Sequence, residues 1–142
     1  MFSAAAAQFI ASHRVARFAT ADAGGAPYAV PICYAFDGER IYTAIDLKPK
    51  TVGGSHLKRV RNILENRNVA IVIDDYSEDW SELAYVMIRG TAEIIEGGEE
   101  RDGAEALLRE KYAQYAEMLE PGCAIISITP KRVVSWGAVS VT

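Results

Sequence analysis

Positively charged side chains are concentrated in one short segment of this acidic protein. Residues 48–67 contain six of the fifteen lysines and arginines, opposed there by Glu65 alone, although the whole chain carries a formal charge of −4. Like charges held close together repel one another, so this basic segment needs an anionic partner. The six residues are Lys48, Lys50, Lys58, Arg59, Arg61 and Arg67.

The sequence around the basic segment has features of a phosphate-binding loop. Gly53 and Gly54 allow backbone amides to approach an anion, and Ser55 can cap a helix whose oriented N–H groups favour negative charge. Strand-like sequences at residues 41–45 and 69–73 flank the segment, so a sheet would hold it in place. We predict that the segment grips a phosphate-bearing cofactor; the alternative is a solvated helix face.

The elements before the basic segment are predicted to be one helix and three strands. Ser3 caps a short helix, and strands follow at residues 15–20, 28–36 and 40–45, separated by turn residues that predict consecutive hairpins. Pro31 lies in the middle of the second strand and cannot donate to a ladder. That strand should therefore lie at a sheet edge or be interrupted.

The remaining elements are predicted to be two helices and four strands. A helix at residues 55–66 should bury Leu57, Val60, Ile63 and Leu64 and leave its basic residues off that apolar stripe. A later helix at residues 99–118 should turn Ala106, Leu107, Leu108 and Tyr112 towards the core. The strands are predicted at residues 69–74, 84–95 with a bend at Gly90, 124–129 and 132–136.

This order of elements favours a small barrel over a parallel sheet. Strands joined mainly by hairpins, with helices between sheet segments, are typical of a mainly β fold with flanking helices. We expect six or seven mostly antiparallel strands in a single domain that covers residues 1–142.

Composition excludes several other classes of protein. A chain of 142 residues with 50% hydrophobic content needs neither disulfides nor metals, so Cys33 and Cys123 are expected to be reduced, buried thiols. No apolar stretch reaches the ~20 residues of a membrane span, and no basic region of a secretion signal precedes the first helix. A pI of about 5.2 disfavours nucleic-acid and anionic-membrane partners. We expect a cytoplasmic protein.

Motifs that would indicate nucleotide or metal chemistry are absent. No glycine pair fits G-x-G-x-x-G or a P-loop, and the two histidines and two cysteines lack the spacing of zinc ligands. Ser55 and His56 are neighbours that a helix would point to different faces, which disfavours a nucleophile and its base. The acidic residues 74–79 do not follow the spacing of a calcium-binding loop. No metal site is predicted.

Trp80 is the large aromatic residue within this acidic loop. A tryptophan among acids and hydroxyls is a candidate to cover a flat ring or a subunit interface. The alternative is a tryptophan that plugs one end of the barrel.

The order of these pieces across nearly the whole chain resembles the pyridoxamine 5'-phosphate oxidase-like split β-barrel superfamily, the FMN-binding-like fold of flavin and deazaflavin enzymes. Within it, the chain is most similar to the group of small proteins that depend on coenzyme F420, a deazaflavin. The segments that carry the resemblance are Phe18-Ala19-Thr20, Gly25-Ala26-Pro27-Tyr28, Val30-Pro31-Ile32, Ile41-Tyr42-Thr43-Ala44-Ile45-Asp46, Lys48-Pro49-Lys50, Leu57-Lys58-Arg59-Val60-Arg61-Asn62-Ile63, Asn66-Arg67-Asn68-Val69, Asp79-Trp80-Ser81 and Arg89-Gly90-Thr91-Ala92.

The resemblance implies a cofactor groove at a homodimer interface. Lys50, Lys58 and Arg59 would hold the cofactor phosphate, with Arg61 in support. The ring system would lie along Val30, Pro31 and Ile32, and Trp80 and Ser81 would arrive from the partner subunit. The family's Asn-Pro-Arg after this helix is Asn66-Arg67-Asn68 here, and residues 51–56 are an insertion that shifts the phosphate loop. The innermost phosphate ligand is therefore either Lys50 or the pair Lys58 and Arg59.

The resemblance also implies an oxidoreductase that transfers a hydride between the reduced deazaflavin and a small organic substrate. Six basic residues suit the phosphodiester and polyglutamate tail of that coenzyme, whereas FMN carries one phosphate monoester. An FMN-dependent oxidase or reductase and a non-catalytic flavin or deazaflavin carrier are the alternatives. A single-stranded nucleic acid is disfavoured because the basic segment lacks stacking aromatics. The proton donor would be Tyr34, Tyr42 or solvent, and no obligatory catalytic side chain is predicted.

Overall fold

A computed structural model describes residues 1–45 and 57–140. Its seven strands form one antiparallel sheet that curls into a half-barrel, in the order β2-β1-β5-β6-β7-β4-β3. This architecture confirms the predicted mainly β class with flanking helices. The strands are β1 (Ala16–Ala21), β2 (Pro27–Ile32), β3 (Ala35–Phe36), β4 (Ile41–Ala44), β5 (Asn68–Asp75), β6 (Ala84–Ile95) and β7 (Ile125–Gly137).

Four α-helices accompany the sheet in the described part of the chain. They are α1 (Ala4–Ser12), α2 (Lys58–Glu65), α3 (Glu99–Lys111) and α4 (Tyr115–Met118). None of them is long and apolar enough to cross a membrane.

Helix α1 begins and ends where its sequence predicts. The Ser3 hydroxyl accepts a hydrogen bond of 3.0 Å from the Ala6 amide, which satisfies one of the unpaired donors of the first turn. The helix buries Phe9 and Ile10 against the sheet. At its end the His13 ring nitrogens lie 2.7 Å from the Phe9 carbonyl oxygen and 2.6 Å from an Asp75 carboxylate oxygen, which ties α1 to β5.

The predicted strand at residues 28–36 is two strands at opposite ends of the sheet. β2 pairs with β1 alone and β3 pairs with β4 alone, so each forms one edge of the sheet. The edge position of β2 confirms the inference from Pro31. Both predicted hairpins are present, β1 with β2 and β3 with β4, but the middle strand is not continuous: one hairpin ends at Ile32 and the other begins at Ala35.

The predicted break between residues 129 and 132 was also wrong, since β7 is continuous. Its Pro130 lies opposite Gly90 of β6, where the register between the two strands shifts after Arg89. A Cβ atom on Gly90 would lie only 2.1 Å from the Thr129 carbonyl oxygen. The bend predicted at Gly90 is therefore this bulge, which accommodates a proline inside a long strand.

The core has two parts, one on each side of the half-barrel. The larger part packs α1 and α2 against the sheet, around Phe18, Ile71 and Ile88. The smaller part lies under α3, around Leu108 and Tyr112. Ala106 is exposed rather than buried, and the helix predicted to reach residue 118 ends at Lys111, before α4.

A buried arginine joins α3 to the segment that follows α4. Arg101 is 6% exposed and donates to Glu105 at 2.8 Å, to Asp102 at 2.7 Å and to the Cys123 carbonyl oxygen at 2.9 Å. Glu105 also accepts from Arg109 at 2.8 Å and from the Gly122 amide at 3.1 Å. Cys33 and Cys123 are half-buried and form no disulfide.

Candidate functional site

Helix α2 carries three basic residues in or next to its first turn. Lys58, Arg59 and Arg61 lie there, and that turn contains no acidic residue. Cations at a helix N-terminus oppose the positive end of the helix dipole, an arrangement that is unfavourable unless an anion lies nearby. Lys48, Lys50 and Ser55, which sequence analysis assigned to the same cluster, lie outside the described residues.

Arg59 is the inward-facing member of this group. Its side chain is half-buried, and its Nε is a buried donor that has no hydrogen-bond partner in the described part of the chain. Burial lowers the pKa of Arg59, and nearby Tyr28 and Tyr115 oppose that shift. A buried guanidinium with an unused N–H fits an anionic ligand, because an unpaired buried donor otherwise costs about 1–3 kcal/mol. Arg59 is not among the buried residues Val60, Asn62 and Ile63 of α2, as predicted, but its Nε atom is buried.

The other basic residues of the cluster lie in different surroundings. Lys58 is half-buried at the start of α2, near the β1–β2 turn. There the Ala26 amide chiefly, and Lys58 to a smaller extent, lower the pKa of Asp22. Arg61 is exposed. Arg67 lies beyond the helix, donates to the Ala92 carbonyl oxygen at 3.3 Å and lies 4.0 Å from Glu93.

The buried face of α2 also contains a polar residue that sequence analysis missed. Asn62 is 1% exposed, and its Nδ2 donates at 3.0 Å to the Thr20 hydroxyl of β1, itself 3% exposed. The Oδ1 of Asn62 has no partner within the described residues. Leu64, predicted to be buried, is 69% exposed. In the sequence, the position of Asn62 between Val60 and Ile63 was the sign that this face of the helix is buried.

Strand β2 places the predicted ring-binding residues along an open sheet edge. Val30, Pro31 and Ile32 pair with Phe18, Arg17 and Ala16 of β1. Val30 is half-buried, Pro31 exposed and Ile32 buried. Because β2 has no strand on its other side, outward backbone groups there are available to a ligand. At the start of this strand, Tyr28 opposes the lowering of the pKa of Arg59 by burial.

Trp80 and Ser81 lie in a short 3₁₀ turn (Trp80–Glu82) between β5 and β6. Asp79 caps it, since its Oδ1 accepts from the Ser81 amide at 3.1 Å and the Ser81 hydroxyl at 2.7 Å; these bonds lower the pKa of Asp79. Trp80 is 71% exposed, so the alternative that it plugs a barrel end was wrong. No hydrogen bond or ion pair among the described residues joins this turn to α2 or β2.

A second exposed tryptophan, missed in the sequence, lies on β7. Trp136 is 52% exposed and stacks on Tyr85 of β6, with ring centroids 5.7 Å apart and planes 23° apart. The two residues are cross-strand partners near the start of β6, just after the Trp80 turn. The pairing of Trp136 with Tyr85 was not predicted, because residues 132–136 were expected to form a separate final strand.

The two tyrosines considered as proton donors are both engaged elsewhere. Tyr34 is buried, and its hydroxyl donates to the Ile10 carbonyl oxygen of α1. Tyr42 donates to Glu100 at 3.0 Å. Burial is the main cause that raises the pKa of each phenol. Neither hydroxyl is placed as an acid beside α2 or β2.

Comparison with known proteins agrees with this fold. The chain matches the family described as pyridoxamine 5'-phosphate oxidase over residues 2–137. It is 34% identical to the 5a,11a-dehydrotetracycline/5a,11a-dehydrooxytetracycline reductase of Streptomyces rimosus subsp. rimosus. The aligned 125 residues cover 85% of this chain and 72% of that protein.

Solved structures share the fold at low sequence identity. The conserved hypothetical protein Rv2991 from Mycobacterium tuberculosis superposes with a TM-score of 0.76 at 24% identity, covering 96% of this chain and 85% of the other. The haem storage protein HutZ from Vibrio cholerae superposes with a TM-score of 0.72 at 15% identity, covering 92% and 89%.

The fold and these matches agree on one class of protein. The family match and the related reductase support an oxidoreductase with a flavin-type cofactor. The match extends over nearly the whole chain, from Phe2, just before α1, to the end of β7. This chain therefore belongs to the pyridoxamine 5'-phosphate oxidase family.

Proposed function

We propose that this protein is an oxidoreductase that uses the deazaflavin coenzyme F420 and reduces a small, unsaturated organic molecule. The observation that carries the proposal is the buried Nε of Arg59 at the start of α2, which has no hydrogen-bond partner among residues 1–45 and 57–140. Support for the reaction class comes from the related reductase of Streptomyces rimosus, whose named substrates are dehydro compounds.

The residues at the start of α2 fit a phosphate. Arg59 offers a buried donor, and Lys58 and Arg61 add charge where the helix N–H groups already favour an anion. We assign Arg59 as the innermost described ligand, with Lys58 beside it and Arg61 nearer the solvent. Lys50 remains an expected ligand outside the described residues.

The open edge of β2 would orient the ring system of the bound cofactor. Half-buried Val30 and exposed Pro31 offer apolar contact, Ile32 packs beneath them in the core, and the backbone of β2 offers hydrogen-bonding groups towards its unpaired side. A bound deazaflavin supplies the hydride chemistry. The protein binds the phosphate, holds the ring against the sheet edge and limits access of water. We assign the proton to solvent, because the hydroxyls of Tyr34 and Tyr42 are committed to α1 and α3.

The choice between deazaflavin and FMN rests on charge. Three positive charges at the start of one eight-residue helix exceed what a single phosphate monoester needs, whereas the phosphodiester and polyglutamate tail of coenzyme F420 present several negative charges along a longer path. An FMN-dependent reductase of the same fold is the second candidate, and it is favoured by the family match.

Affinity measurements on matched variants test both the cofactor and the site. We expect the protein to bind coenzyme F420 more tightly than FMN or FAD. Arg59→Ala should weaken binding by roughly 10- to 100-fold, since a hydrogen bond to a charged group contributes about 1.5–3 kcal/mol. Arg67→Ala is the control, because Arg67 is exposed and faces β6. Preference for FMN would overturn the deazaflavin assignment, and equal affinities of the two variants would overturn the site.

We further propose that the functional unit is a homodimer in which Trp80 and Ser81 of one subunit complete the cofactor groove of the other. The exposure of Trp80 and of the stacked Trp136 supports this arrangement, because large exposed aromatic surfaces typically mark interfaces. The Trp80 turn makes no polar contact with α2 or β2 of its own chain among the described residues, which is consistent with a partner role.

A further inference from the structure

Lys111, the last residue of α3, has an unusual environment. Its Nζ is buried and has no hydrogen-bond partner in the described part of the chain. It lies 3.8 Å above the centroid of the Tyr34 ring and 5.5 Å from that of Tyr112. A buried ammonium that only contacts aromatic rings leaves its three donors unused, so its charged form is poorly solvated.

A second cation lies next to Lys111, and no carboxylate of the described residues forms an ion pair with either. The Arg14 guanidinium is 5.0 Å from the centroid of the same Tyr112 ring and donates to the Lys111 carbonyl oxygen. Burial, followed by repulsion from Arg14, lowers the pKa of Lys111 to about 8, against a small opposing effect of Cys33. A substantial fraction of the amine is therefore neutral near pH 7.5.

A small cavity between α1, β3 and α3 borders this lysine. Its volume is about 260 Å³, and it is lined by Ala11, Ala35, Phe36, Leu107, Glu110 and Lys111. Four of these six side chains are apolar, and Glu110 is exposed. Such walls admit a small uncharged molecule, whereas the Glu110 carboxylate disfavours anionic reagents.

We propose that Lys111 is a carbamylation site that takes up carbon dioxide. The amine lone pair forms an N–C bond, one C=O π pair moves to oxygen, and one N–H proton leaves to solvent, so no oxidant or reductant is needed. The product is a carbamate anion. It would face the Arg14 guanidinium, and a pair of repelling cations would become a pair of opposite charges. The cofactor site plays no part in this reaction.

Chemical trapping of the carbamate tests the proposal directly. The intact protein is equilibrated at pH 7.5 with ¹³C-labelled bicarbonate, treated with a trialkyloxonium salt that esterifies carbamates, digested and analysed by mass spectrometry. We expect the labelled ester on Lys111 and much less on Lys131, which is exposed on β7. We expect an excess of at least several-fold, because burial and Arg14 lower the pKa of Lys111 and leave more of its amine neutral.

Variants separate the role of Arg14 from that of folding. Arg14→Gln should lower the Lys111 carbamate several-fold at a fixed carbon dioxide pressure, and Arg14→Lys should restore most of it. Lys111→Arg should remove the Lys111 carbamate resonance from a ¹³C NMR spectrum, which does not depend on the trapping reagent, and leave weaker signals of other amines unchanged. Thermal melts establish that each variant is folded. Equal labelling of Lys111 and Lys131, or an Arg14→Gln protein that labels like the wild type, would overturn the proposal.

Discussion

Asn62 shows how one buried side chain connects the candidate site to the sheet. It is on the same inward face of α2 as Arg59, one helical turn away, and its hydrogen bond to Thr20 fixes that face against β1. Asn62 therefore sets the rotation of α2 about its axis. That rotation in turn decides whether Arg59 points inwards or to solvent.

A double-mutant cycle should detect the Asn62–Thr20 bond. Asn62→Leu or Thr20→Val alone leaves one buried polar group without its partner, which costs about 1–3 kcal/mol of the free energy of unfolding. Because the double variant leaves neither group unpaired, its loss should be clearly smaller than the sum of the two single losses. Urea denaturation of the four proteins gives these values. Additive losses would show that the hydrogen bond contributes nothing.

The sequence predicted the basic helix but not which of its faces is buried. The predicted apolar stripe is Leu57, Val60, Ile63 and Leu64. Val60 and Ile63 are buried and Leu57 packs against the core, but Leu64 is exposed and Asn62 is buried instead. Hydrophobicity alone favours leucine over asparagine at a buried position, so it could not indicate this rotation. The half-buried position of Arg59 could not be read from local sequence, because Tyr28 and Tyr115, which influence its pKa, are distant from it along the chain.

Among the elements, α3 is held to the segment that follows α4 by Glu105, near the middle of the helix. Glu105 is the acceptor shared by Arg101, Arg109 and the Gly122 amide. Burial alone would raise the pKa of Glu105, but these three bonds together lower it. Removing its charge would leave the buried Arg101 guanidinium poorly compensated.

Acid should therefore weaken this connection. The folded pKa of Glu105 lies below its ordinary value of 4.5, so its contribution to stability is fully present above that pH and is lost as the pH falls through the folded pKa. We expect the urea midpoint of the wild type to fall between pH 6 and pH 3. Glu105→Gln should lower the midpoint at pH 6 and reduce its pH dependence. An unchanged pH dependence in this variant would contradict the assignment.

The two glycines Gly90 and Gly103 should respond in opposite directions to alanine. A Cβ at position 90 would meet the Thr129 carbonyl oxygen at 2.1 Å, so Gly90→Ala should destabilise by about 1–3 kcal/mol through overpacking. Gly103 lies inside α3 with open space around it, so Gly103→Ala should stabilise by about 0.5–1 kcal/mol. Thermal unfolding checks both. A neutral Gly90→Ala variant would mean that the bulge is readily rearranged.

Proline positions explain which strands were predicted well. β1, β5 and β6 contain no proline and were found to within one or two residues. Pro130 suggested a break in β7 that the bulge opposite Gly90 removes, because the partner strand shifts register there. Pro31 correctly indicated an edge, but the separation of β2 from β3 depends on the curl of the whole sheet, which local sequence does not encode.

For the whole molecule, the proposed dimer makes a sharp prediction about mixed subunits. Arg59→Ala and Trp80→Ala should each weaken cofactor binding. A mixture of the two chains should recover about a quarter of the high-affinity sites, because random exchange makes half of the dimers mixed and each mixed dimer has one intact site. Tyr76→Ala, which also alters an exposed aromatic residue, is the control for Trp80.

Light scattering and titration of the mixture decide the outcome. The particle mass should be about twice that of the 15.5 kDa chain, and high-affinity binding should reappear only after subunit exchange. A monomer in solution, or a mixture without recovery, would contradict the shared site while leaving the assignment of Arg59 intact.

The two edges of the sheet have a consequence for how the protein behaves at high concentration. Unpaired edge strands invite chains to associate strand by strand into fibrils, and short or proline-containing edges resist this. β3 has only two residues, and β2 carries Pro27 and Pro31. The edge that stays open along the candidate groove thus lacks the regular row of donors that a growing fibril requires. The β2 edge can therefore bind a small molecule without promoting aggregation.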